Sequence, residues 1–273
     1  MSRVAILMPV HNAARFLPEA IESVLHQTFR DFRLLLVDDN SSDDSLQICE
    51  KYERQDRRIH FFRSSRQQGH AATLNDMLAS VDSDAEFIAI AGSRDISEPE
   101  RLQCQIDFLE MNQEFSGIGS NIRFIDPQGL IIGECRYPQE QEDIKKKACY
   151  FCPVAPPTFC YRVSLISEIG GYDPYFLHCD DYEFILRVLE KHHLGNLSAE
   201  LVNVRHVANL EEVPRPRVVL LNVLRLQRYY LSRGKFFSLG ALAHHLVSYF
   251  RLFQSQPLSL YPQFTLLDDK SIQ

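Results

Sequence analysis

The sequence predicts an α/β protein built on a largely parallel sheet, and three observations carry that expectation. Apolar runs without polar interruption recur at positions 4–8, 34–37 and 87–91, as in strands buried on both faces. Each run stops at a polar loop, and each loop leads into apolar residues at helical spacing. Strands alternating with helices build right-handed crossovers, so the three loops gather along one carboxyl edge. Open α/β sheets hold their ligands at that edge.

The first strand runs into Pro9-Val10-His11-Asn12, and Phe16, Ala20 and Val24, with Leu17, Ile21 and Leu25 beside them, mark the helix behind it. The second meets Asp38-Asp39-Asn40; Ser42 can cap the next helix, and Asp43 and Asp44 complement its positive end. The third ends at Gly92-Ser93-Arg94-Asp95, before a stripe of Leu102, Ile106 and Leu109 that begins near Pro99. Farther on, Phe124-Ile125 and Leu130-Ile131-Ile132 read as two strands around a turn containing Pro127 and Gly129. Lys145, Lys146 and Lys147 read as a solvated helix face. Asp180 and Asp181 suit the start of a helix through Tyr182, Ile185 and Arg187. One crevice is thus expected to contain His11, Asp38, Asp39, Arg94 and Asp95.

Composition narrows the classes. A chain of 273 residues with 45% apolar content can bury one large core, and its net charge of -7 argues against nonspecific nucleic-acid binding. No run approaches the roughly 18 apolar residues needed to span a bilayer. The first residues begin a strand, so no signal peptide is expected and a cytoplasmic location is. Seven cysteines, an odd number, argue for reduced thiols. Cys149, Cys152, Cys160 and Cys179 could be drawn as a zinc site, but the second spacing suits neither ribbon nor finger, and buried thiols are expected.

The stretch MPVHNAARFLPEAIESVLHQTFRDFRLLLVDDNSSDDS resembles the opening of the large family of inverting nucleotide-sugar glycosyltransferases with the GT-A fold, the type that builds bacterial surface polysaccharides. The resemblance continues through Gln68-Gly69-His70-Ala71-Ala72-Thr73-Leu74-Asn75, the segment at 96–110, Ile169-Gly170-Gly171-Tyr172-Asp173 and Asp180-Asp181-Tyr182-Glu183. It implies a GT-A domain over residues 1–213, with a mixed, largely parallel Rossmann-like sheet, followed by a helical extension over 214–273.

By the same resemblance Asp39, with Asp38 behind it, accepts a hydrogen bond from a pyrimidine base that Pro9 and His11 flank. An aromatic residue is common where His11 stands. Arg66 and Asn75 join the nucleotide side more weakly, and Asn75 is equally readable as structural, as Gly69 is for its turn. Asp38 alternatively satisfies backbone donors in its own turn. The donor implied is a nucleotide-sugar, a UDP-sugar first of all. The acceptor implied is a glycan or a lipid-linked glycan. Asp181 falls on the general base of the inverting reaction, and Asp180 orients the loop or contacts the acceptor.

The departures lie in one crevice. The family carries an Asp-x-Asp motif that holds Mn2+ or Mg2+ against the diphosphate, and Gly92 and Arg94 stand at its two positions, which disfavours a metal. Asp95 and His206 are the weak remaining candidates for a cation. Pro156 stands where a histidine is frequent. Three readings of Arg94 stay open. Its guanidinium replaces the metal: at about 4 Å from a phosphate oxygen it contributes roughly 4 kcal/mol at an effective dielectric of about 20. Alternatively the domain is a catalytically degenerate transferase kept as a nucleotide-binding or protein-interaction module. In the third, Arg94 pairs with Asp95 or Glu98 on the surface.

Beyond Pro214 the chain becomes basic and apolar, with Arg215, Arg217, Arg225, Arg228, Arg233 and Lys235 among leucines, valines and tyrosines. Such a helical segment fits peripheral contact with anionic lipid on the inner face of a membrane. It equally fits packing on the domain or a homodimer. The residues after Asp268 are expected to fray.

Overall fold

The apolar runs become adjacent buried strands at the centre of a ten-stranded mixed sheet. In the computed structural model, which describes residues 2–207, 216–236, 238–251 and 264–266, β1 (Val4–Val10) lies between β2 (Phe32–Asp38) and β4 (Phe87–Ile90), parallel to both. The strand β3 (Ile59–Arg63) pairs parallel to β2 at the edge. The first strand runs past its apolar stretch, through Pro9. Leu7 accepts from Ala91 on the β4 side and Val10 from Asp39 on the β2 side. Alternation therefore turns Pro9 toward β4 just beyond its end, where a missing amide breaks no ladder bond.

The other half is antiparallel where hairpins build it. From β4 the sheet continues through β8 (Cys160–Arg162), β6 (Phe115–Ile125), β7 (Ile131–Cys135) and β10 (Phe264–Leu266). The long β9 (His193–Arg205) runs parallel to β6 and also pairs with β5 (Ile96–Ser97). The β6–β7 connection is the expected turn. Asp126 Oδ1 accepts the amides of Gln128 at 2.8 Å and Leu130 at 2.9 Å, and Gly129 supplies a φ of +88°.

Strand alternation sends side chains into two layers. Ile6, Met8, Leu34 and Leu36 pack under α1 (Leu17–Leu25), α2 (Ser45–Gln55) and α4 (Arg101–Met111). Ala5, Leu7, Leu35 and Val37 face α3 (His70–Ala79), α5 (Gln141–Lys147), α6 (Ser164–Ile169) and α7 (Asp180–Leu189). The tail joins this second layer: α8 (Pro216–Ser232) buries Leu226 and Tyr230 there, and α9 (Leu239–Arg251) buries Ala241. No described helix is long and apolar enough to cross a membrane. The 213/214 boundary, Pro214, Arg215 and the end after Asp268 lie outside the described residues.

One expectation changes. Ser42 does not cap α2, which starts at Ser45. Asp43 captures the Ser45 amide at 3.0 Å and the Ala14 amide at 2.9 Å, delaying the helix. The Ser42 amide and hydroxyl both donate to Asn12 Oδ1, which ties the two loops together. The four cysteines of the zinc drawing are free thiols. Burial pushes Cys149 up to about 11 and Cys160 and Cys179 to about 12, so they stay protonated.

Candidate active site

Loops from β1, β2, β3 and β4 meet at the carboxyl edge and are wired together by backbone groups. Asp39, buried at the end of β2, receives the Gln68 amide on Oδ1 and the Gly69 amide on Oδ2, both at 2.8 Å. Gly69 takes a φ of +90°, which lets two successive amides point at one carboxylate. His11 Nδ1 donates to the Asp39 carbonyl at 2.9 Å, leaving Nε2 to accept from Gln67 at 3.1 Å, so one tautomer satisfies both. Pro9 is half-buried beneath this loop.

Asp38 is 1% exposed; its Oδ2 takes the Ser41 amide at 3.2 Å, and Oδ1 has no partner among the described residues. Arg66 sits on the exposed β3–α3 loop, beside a surface cleft of about 480 Å³ shared with Arg63, Gln68 and Asp76. Asn75 is spent on the fold. Its amide donates to the Tyr172 carbonyl and its oxygen accepts the Tyr172 amide, both at 2.8 Å, fixing the segment that leads to α7.

At the end of β4 the loop is reorganised. Asp95 turns inward, where Oδ1 accepts the Arg205 amide at 3.0 Å. Its carboxylate folds over Gly92 so closely that a Cβ there would lie 2.1 Å from Oδ2. Burial raises Asp95 to about 6 against the opposing charges of Arg205, Arg94 and Arg101. Arg101 is fully buried, its guanidinium bonded to Ser97, Gln105 and the Ile90 carbonyl, and burial lowers it to about 10.

Arg94 reaches across the crevice, its Nη2 donating to the carbonyls of His11 at 3.1 Å and Asn12 at 2.9 Å. Glu98 is engaged by Arg123 and Asn203 instead. His206 is exposed at the end of β9. A divalent cation does not fit this donor set: the one carboxylate left is turned away, and three guanidinium groups surround it.

The carboxylate pair stands on the first turn of α7. Asp180, buried, bonds His70 Nδ1 at 2.7 Å; Asp181 lies 3.8 Å from the same nitrogen, with no other partner among the described residues. Residue 178 turns the chain into this helix with a left-handed φ of 63°. Burial pulls His70 down, but Asp181, Asp180 and Asp39 together raise it to about 9. Burial first, opposed by His70 and reinforced by Asp180, raises Asp181 to about 7. The ligand atoms of His70, Asp180 and Asp181 lie within 4.8 Å of one another, as a metal set would, yet a protonated imidazole bonded to a carboxylate accounts for that spacing.

His70 is a site residue to which the sequence by itself assigns no role. The only local signal was a histidine directly after the turn glycine that Asp39 holds.

The mixed sheet, with its polar loops gathered at one carboxyl edge and helices on both faces, is of GT-A type. The chain belongs to glycosyl transferase family 2, whose model matches residues 5–169, a span that stops short of Asp180 and Asp181. EpsE of Bacillus subtilis is 30% identical over 74% of this chain and 73% of its own. The O-antigen biosynthesis glycosyltransferase WbnJ of Escherichia coli is 28% identical over 75% of this chain and 80% of its own. Other relatives are longer: the chain spans 40% of an uncharacterized glycosyltransferase of Rickettsia felis. Among solved structures, S. aureus TarS residues 1–349 in complex with UDP-GlcNAc aligns with a TM-score of 0.68 at 18% identity, covering 92% of this chain and 73% of that one.

Proposed function

We propose that this chain transfers a sugar, with inversion, from a UDP-sugar to a hydroxyl of a glycan or lipid-linked acceptor, without a metal. The observation that carries the reading is Asp181: a partly exposed carboxylate on a helix start, without a hydrogen bond among the described residues and raised toward neutral pH. It takes the proton of the incoming hydroxyl as that oxygen bonds the anomeric carbon. The bond to the diphosphate breaks on the opposite face, and its electron pair leaves with UDP. Charge at the sugar resembles an oxocarbenium ion in this step.

Asp39, His11 and Pro9 receive the base, and Arg94 supplies the positive charge for the diphosphate. The names of WbnJ and of the TarS complex support a polysaccharide acceptor and a UDP-sugar donor. The test is a thermal-shift series with UDP, with and without Mn2+ or EDTA, beside UDP release from a panel of UDP-sugars. Stabilisation by UDP that ignores metal supports the reading. Indifference to every nucleotide assigns the domain to a non-catalytic module, and a strict need for Mn2+ removes Arg94 from the role.

A further inference from the structure

We infer that the outer face formed by α8, α9 and the 173–178 loop docks on an anionic lipid bilayer, so that the acceptor reaches Asp181 from the membrane surface. The face is apolar and outward. On α9, Leu239 is 80% exposed, and Leu242 and Leu246 follow on the same stripe while Ala241 packs inward. On α8, Leu221, Arg225 and Tyr229 share the outward stripe opposite buried Leu226 and Tyr230.

The face continues to the catalytic helix. Tyr175, 79% exposed, and Leu177 belong to the loop that ends at Asp180. Asn222 of α8 donates to the Leu177 carbonyl at 2.8 Å, and the rings of Phe176 and Tyr229 meet edge to face at 6.4 Å. The surface beside the carboxylates and the surface of the tail are therefore one.

Charge selects the occupant. Residues 213–267 contain seven Lys and Arg and no Asp or Glu, in a chain whose net charge is -7. Arg225, Arg228 and Arg233 are exposed on α8 and just beyond it, with Arg233 lying 4.3 Å from the Tyr229 ring centroid. Lys235 pairs with Glu190 at 3.1 Å and Asp173 stands in the loop, so the attraction rests on the exposed Arg225, Arg228 and Arg233, which draw to an anionic surface a face of a body that is otherwise acidic. Apolar side chains interleaved with arginines on helices too short to span fit the interfacial plane of a bilayer.

The claim about the acceptor rests on the glycosyl-transfer reading; the claim about lipid does not. Flotation of the full chain with vesicles tests it. Binding is expected to phosphatidylcholine vesicles containing phosphatidylglycerol, not to phosphatidylcholine alone, and to fall steeply with salt. The charge reversal Arg225→Glu with Arg228→Glu is expected to weaken it by about tenfold or more, while the UDP-induced melting shift stays unchanged. Equal binding to both vesicle types, or to neither, overturns the proposal. So does a dimer in light scattering that Leu239→Ser with Leu242→Ser turns to monomer, which would assign the face to a second copy. Loss of the UDP response in the parent chain would instead strike the transfer reading alone.

Discussion

Replacing His70 by Asn should move the acid limb of the pH–rate profile upward while leaving donor binding intact. His70 Nδ1 stands 3.8 Å from Asp181 Oδ2. A pair of unit charges about 4 Å apart interacts by roughly 4 kcal/mol at an effective dielectric of about 20, and by about 1 kcal/mol in bulk water. At about 1.4 kcal/mol per pH unit, removing the imidazolium would raise Asp181 by about 0.7 to 3 units. The imidazole is 42% exposed, which places the effect toward the lower end.

Asp181 must be ionised to act as a base, so the parent rate should rise through about pH 7. In His70→Asn that limb should move up by about one unit. Above about pH 9, where His70 gives up its proton and Asp181 is ionised in both proteins, the rates of parent and variant should converge. Stability gives an independent check. A histidine raised above its unfolded value of 6.5 contributes fully below that pH and loses its contribution as pH rises through about 9. The melting deficit of the variant should shrink across that window. UDP release followed from pH 5.5 to pH 10 measures the limbs, and an acid limb unmoved in His70→Asn would refute the coupling.

The remaining predictions concern the other residues of the site. Asp181→Asn should abolish transfer and preserve UDP affinity by calorimetry; retained turnover would remove Asp181 from the mechanism. Arg94→Ala should weaken UDP binding by about tenfold or more, as expected for a lost charge-assisted contact, with no rescue by Mn2+. Asn75→Ala should destabilise the protein by about 1–3 kcal/mol, because both bonds to Tyr172 go; a chemical melt measures it, and UDP affinity should hold. Gly92→Asp should lower the melting temperature without creating Mn2+ stabilisation, since the added atoms meet Asp95 at once.

Much of the fold was legible because it is written locally. Three uninterrupted apolar runs, the Asp126–Gly129 turn and the α1 and α4 stripes each depend on residues within one short window. The partners that define the site are far apart in sequence. His70 meets Asp180 across 110 positions, and Asp95 meets Arg205 across the same separation. No window reading could show that Asn75 would be held by Tyr172, or that Asp95 would turn away from the crevice. Ser42 misled because a capping residue was at hand, whereas Asp43 had already taken the Ser45 amide.

The β4 loop bears on whether the missing metal motif marks decay. A loop that had lost its cation without compensation would leave buried polar atoms facing nothing. The buried side-chain atoms without partners among the described residues belong to Asp38, His192, Asn196 and Asn203, none of them between Gly92 and Asp95. Gly92 makes room for the inward carboxylate, Arg205 bonds it, and Arg94 bridges to the β1 loop. Those three features depend on one another, since any Cβ at 92 would expel Asp95 from its place. The loop is a packed arrangement with cationic side chains at its centre, which supports the anion-binding role proposed for Arg94. The same β1 carbonyl that receives Arg94 belongs to His11, whose ring bonds Asp39, whose carboxylate fixes the turn before His70. Hydrogen bonds and short stretches of backbone thus link Arg94 to His70 and Asp180, beside the proposed base Asp181, which is why the arginine and the histidine are best tested in one double-mutant cycle.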